Sequence, residues 1–185
     1  MSRASMVESL GKFTTFQWFA VAYLLTACSW TLYFADHALL GLVPAVLLAG
    51  YQAWLIRRRA RPADWLGASC IGQLVLCLVI TLSFWSSDLG ALVTVTVAGA
   101  LAHALQWAAV KQAASKPAVW FLGAPSLGVA VYIARQLIGL LDLRSDKAAL
   151  LFGSVGGLIV AVSSSAIVSV CIFHGRKDVA SSVPQ

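Results

Sequence analysis

The feature that most constrains this chain is its segmentation: six long apolar runs follow one another, with connections of only a few residues between them. The runs are 16–34, 37–56, 65–85, 89–110, 117–141 and 148–173, and each comes close to the roughly 20 helical residues that cross a hydrocarbon core. In lipid no water satisfies backbone N–H and C=O groups, so a run of this length predicts an α-helix. The connections cannot hold an extramembrane domain. Residues 1–185 therefore read as one all-α, polytopic transmembrane bundle of six spans, with short cytoplasmic tails at 1–15 and 174–185. Composition agrees, because 60% of residues are hydrophobic and 11% charged, whereas about a quarter are charged in a soluble domain. No convincing small-residue cleavage site follows the first run, which reads as a retained span.

Lysine and arginine resist translocation, so their distribution sets orientation. Arg3, Lys12, Arg57, Arg58, Arg59, Arg61, Lys111, Lys116, Arg176 and Lys177 fall on one side of the six-span scheme, and only Arg144 and Lys147 on the other. Both termini are thus expected in the cytoplasm. Tryptophan prefers the headgroup level, and Trp18, Trp54, Trp65, Trp107 and Trp120 lie near the cytoplasmic boundary, Trp30 and Trp85 near the outer one. They read as an aromatic belt. The net charge of +6 does not point to nucleic acid, since the basic residues sit between spans; Arg57, Arg58, Arg59 and Arg61 are expected to meet anionic lipid headgroups.

The middle span of each half carries an interior proline, Pro44 and Pro125. Aligned on them, Ala49, Tyr51 and Ala53 match Ala130, Tyr132 and Ala134, which suggests a 3+3 inverted pseudo-repeat. Interior prolines free a carbonyl one turn back, here Leu40 and Phe121, and paired broken helices mark substrate sites in transporters. Arg135 is the charged residue deepest in a span, though six residues from its end it can snorkel to the outer interface. Gln17, Gln52, Gln73, His103 and Gln106 share a depth in the cytoplasmic half, with His103 and Gln106 on one helix face.

The leading expectation is an inner-membrane protein that binds or translocates a small molecule or ion through a polar interior between kinked helices two and five. Its candidate contacts are Pro44, Tyr51, His103, Gln106, Pro125, Tyr132 and Arg135. The alternative is a non-enzymatic accessory or immunity-type protein that binds another membrane protein, or a second copy of itself. Its surface would be the ladder Gly153, Gly157, Ala161, Ser165 and Ser169, where small residues every four positions allow close helix approach.

Enzymatic activity is not expected. Ser163, Ser164 and Ser165 could meet His103, but serines in membrane helices commonly bond the preceding turn. Asp142 and Asp146 are one turn apart only if a helix runs through them, and Arg144 and Lys147 make a solvated turn the simpler reading. The cysteines Cys28, Cys70, Cys77 and Cys171 lie inside apolar runs without metal-ligand spacing, and His37, His103 and His174 lie at different depths. No metal, haem or other cofactor is expected.

Overall fold

The computed structural model describes residues 3–35, 37–57, 60–83, 86–112, 114, 116–143 and 145–173. The sequence readings of Asp36, Arg58, Arg59, Trp85, Arg144, His174, Arg176 and Lys177 lie outside these. The described residues form helices and short connections, with no strand among them: α1 (Arg3–Phe34), α2 (Ala38–Ile56), α3 (Pro62–Ser83), α4 (Asp88–Val110), α5 (Pro117–Phe121), α6 (Gly123–Leu140) and α7 (Ser145–Val168), which runs into a π-helical turn, Ser169–Phe173. Four helical stretches are long and apolar enough to cross a membrane, Pro62–Leu82, Asp88–Val110, Pro117–Leu140 and Asp146–Ile172, and Leu40–Ile56 is a shorter apolar helix.

Local chemistry sets most boundaries. Pro62 opens α3, where its missing N–H costs nothing, and Asp64 in the first turn complements the helix dipole. Ser87 caps α4 by accepting the Gly90 N–H at 3.1 Å. Asp142 ends α6 in the left-handed region, φ 46°, a conformation aspartate tolerates better than most residues. Asp142 therefore lies in a turn and Asp146 on α7, so the two do not share a helix face.

The structure adds two details. Helix α1 begins at Arg3 and runs without a break into the apolar run 16–34. Hydropathy marks where lipid-compatible residues begin, whereas polar helix formers such as Glu8 and Lys12 carry the helix further. The prolines also differ in effect. Pro44 sits inside an uninterrupted α2, but the fifth segment is split at Leu122 into α5 and α6, with Pro125 at the third position of α6. Pro125 cannot donate to Phe121, the last residue of α5.

Each helix packs against its neighbours in sequence, α4 meets α6 across the α5 break, and α1 closes against α7 to complete a ring. Glycines let the backbones approach at two seams. A methyl built on Gly157 would meet the Ala27 N, Cα and Cβ at 2.8–2.9 Å, and one on Gly153 would strike Thr31 and the Ala27 carbonyl. Across the ring, Gly99 and Gly128 do the same for α4 against α6. The small-residue ladder is thus seated on α1 within the monomer, with Ala161 fully buried and Ser165 nearly so.

Two interior clusters divide the ring lengthwise. One packs Trp30, Tyr33, Ile80, Val95, Val131 and Phe152; the other gathers around Trp18, Ile56, Trp65, Val110, Trp120 and Cys171. Large apolar side chains point outward from the helices, among them Leu40, Leu78, Leu82, Leu101, Leu158 and Val162. Water-soluble monomers rarely expose apolar surface so widely, and the bundle is compatible with a membrane protein.

Candidate ligand chamber

Inside the second cluster lies a cavity of about 80 Å³ to which α1, α2, α3, α4, α6 and α7 all contribute. One water needs roughly 10–15 Å³ of such space, so it has room for several waters or one small organic molecule. It occupies the half of the bundle where α2 ends, α3 begins, α4 ends and α5 begins. Leu76, Ala102 and Leu127 form its floor and belong also to the packed apolar cluster beyond.

The polar lining comes from five helices: Thr26, Gln52, Ser69, Gln73, His103, Gln106 and Ser164. Several of these groups hold each other in place. The Gln106 amide donates to the Ser69 hydroxyl at 3.3 Å. His103 Nδ1 donates to the Gly99 carbonyl at 2.8 Å, which fixes the ring, and its Nε2 packs over Gly123 so closely that any side chain there would collide. The Trp120 indole N–H donates to the His103 carbonyl at 3.1 Å, tying α5 to α4.

Three tryptophans wall the chamber. Trp18 and Trp65 meet edge to face with centroids 6.1 Å apart, Trp65 and Trp120 likewise at 6.0 Å, and Trp107 leans on Trp120 at 6.0 Å. Trp18, Trp65 and Trp120 are each 2% exposed, so they turn into the bundle and not outward as the belt reading expects. Trp54 does face outward, with Arg57 stacked 4.3 Å above its ring. The indole N–H groups of Trp18 and Trp65 are buried without a partner, and a buried unsatisfied donor costs about 1–3 kcal/mol.

Of the contacts expected from sequence, His103 and Gln106 line the chamber. Pro44 and Tyr51 do not; Tyr51 stacks on Trp54 at 6.0 Å. Pro125 and Tyr132 are exposed on the outer face of α6. Arg135 is at the far end, where Nε pairs with Asp88 at 2.8 Å and Nη2 donates to the Ser86 carbonyl at 3.0 Å. Gln136 adds a 2.6 Å bond to the same carboxylate. This polar knot ties the start of α4 to the end of α6.

The chain matches no family model, no curated protein and no solved structure. The serines offer no nucleophile poised by a base, because Ser163, Ser164 and Ser165 each donate to a carbonyl of their own preceding turn. No group of three or more metal-ligating side chains occurs among the described residues.

Replacing Arg135 with alanine is expected to lower stability by about 1 kcal/mol, since Asp88 is nearly half exposed and solvent screens the pair. Occupancy of the chamber should not change. Unfolding by SDS in mixed micelles, alongside a binding titration, checks both; loss of binding with stability intact would return Arg135 to the ligand site.

Proposed function

We propose that this chain is a six-span protein of the bacterial inner membrane, with both ends in the cytoplasm, that holds a small molecule in a chamber facing the cytoplasmic half. The observation that carries this reading is the convergence of polar side chains from five helices of the ring on one cavity in an otherwise apolar bundle. Polar groups inside a membrane are costly and tend to mark function. The positive-inside distribution assigns the chamber end to the cytoplasm, where Arg57 and Arg61 meet anionic lipid headgroups.

Binding is favoured over passage. Beyond Leu76, Ala102 and Leu127 the interior is filled by Trp30, Ile80, Val95, Val131 and Phe152, which supports a blind chamber in this conformation. The protein acts without catalysis in this reading. The accessory or immunity-type role would need another surface, because Gly153 and Gly157 are already occupied by α1.

Access is testable with Ser164→Cys in a background where the four native cysteines are alanine. A membrane-impermeant thiol reagent should label it in inverted vesicles and leave it unlabelled in right-side-out ones. Equal labelling from both faces would indicate a continuous path and favour translocation; labelling from neither would make the cavity a sealed void and end the chamber reading.

A further inference from the structure

Resting on the binding reading above, we propose that the chamber takes a urea or simple carboxamide, an uncharged guest that both donates and accepts hydrogen bonds, held by the side-chain amides of Gln52 and Gln73. Gln52 on α2 and Gln73 on α3 line the cavity, and among the described residues neither amide has a hydrogen-bond partner. Gln52 is only 9% exposed, so what its amide meets is the chamber. Both amides keep open surface, in contrast to the indole N–H groups of Trp18 and Trp65, which are packed away from any space. Thr26 on α1, 6% exposed, brings to the lining a hydroxyl that is likewise unpartnered among the described residues. The neighbouring groups are committed: Gln106 donates to Ser69 and His103 Nδ1 to the Gly99 carbonyl. Buried polar groups in folded proteins are nearly always satisfied, and a glutamine amide presents two N–H donors and a carbonyl acceptor. Whichever way each amide is turned, its complement is a guest with both a donor and an acceptor.

Charge is excluded by the lining. No aspartate, glutamate, lysine or arginine borders the cavity, and a buried ion without a counter-ion is strongly disfavoured. Size is set by the volume: a cavity of about 150 Å³ accommodates the six heavy atoms of benzene, so about 80 Å³ holds roughly three or four. Leu48, Leu76 and Leu127 supply aliphatic wall for the carbon side of such a guest, while the amides orient its polar side.

Four molecules of one shape test this on the full chain in lipid nanodiscs: acetamide, the anion acetate, the cation acetamidinium, and acetone, which accepts but does not donate. Each is titrated by saturation-transfer NMR on its methyl group, with empty nanodiscs as the blank. Acetamide should bind saturably and be displaced by urea, and the other three should bind at least about fivefold more weakly, the factor that one net hydrogen bond is worth. Gln52→Met and Gln73→Met keep the side-chain length and delete the amide, and each should weaken acetamide about fivefold. Gln17→Met, outside the chamber lining, should change nothing. An ion or acetone binding as tightly as acetamide would overturn the guest class, and unchanged acetamide affinity in both chamber variants would overturn the role of the amides. Saturation by none of the four would overturn the proposal and leave the cavity to water. Labelling of Ser164→Cys from the cytoplasmic face would then show that the chamber reading stands without this guest, and no labelling from either face that both fall together. If the chamber variants fail to fold, the series on the unaltered protein still decides.

Discussion

Gly157→Leu is expected to leave no stable bundle, with a loss of about 3 kcal/mol or more. A single methyl at that position already lies 2.8–2.9 Å from the N, Cα and Cβ of Ala27, and backbone atoms cannot swing aside as a flexible side chain can. The α1–α7 seam is the most extensive in the ring and closes it, so separating these helices also opens the chamber wall that Trp18 shares with Ile167 and Val168. Gly157→Ala should cost about 1–3 kcal/mol by the same overlap. Gly67→Ala is the contrasting case, because nothing lies within 4 Å of its added methyl, and a gain of up to about 1 kcal/mol is expected from helix propensity. SDS unfolding midpoints of the three variants, with gel filtration for Gly157→Leu, check the order. A Gly157→Leu protein as stable as the parent would mean that α1 and α7 do not meet here.

Phe152→Ala is the second large effect. Phe152 is fully buried and packs on Trp30 at 5.6 Å and Phe34 at 5.2 Å. In a water-soluble core such a truncation costs about 3–5 kcal/mol. In a bilayer the separated helices already sit in an apolar solvent, so most of the transfer contribution vanishes and the cavity with its lost dispersion contacts remains. About 2–3 kcal/mol is therefore expected, read from the same unfolding midpoint. Thiol labelling of Ser164→Cys in the surviving folded fraction should be unchanged, since Phe152 belongs to the cluster beyond the chamber floor. A loss as large as in a soluble core would argue that the bundle unfolds into water.

Much of the architecture was legible along the chain. Helix ends fall within a few residues of the apolar runs except at α1, where polar helix formers extend the helix to Arg3. Of the five side chains expected at one depth, Gln52, Gln73, His103 and Gln106 line the chamber and Gln17 does not. Depth is a one-dimensional quantity, and hydropathy measures it well.

Direction around each helix axis is another matter. In a soluble protein water separates the two faces of a helix, but lipid and bundle interior are both apolar, so Leu78 facing outward and Ile80 facing inward look alike in sequence. Trp18, Trp65 and Trp120 could therefore be taken for belt residues. Pro44 and Pro125 could be taken for equivalents, although one helix tolerates its proline and the other segment breaks. Arg135 found Asp88 from 47 residues away in sequence, a partnership decided by which helices become neighbours.

By itself the order of residues determined a chain of lipid-compatible helices, their approximate ends, and the level at which polar groups lie, because backbone satisfaction and hydrophobic length act locally. Only the tertiary structure decided that α1 closes on α7 over a glycine seam and that three indoles turn inward to wall one chamber. Those outcomes depend on steric fit between segments far apart in sequence, and the shared apolarity of lipid and core erases the pattern that would have announced them.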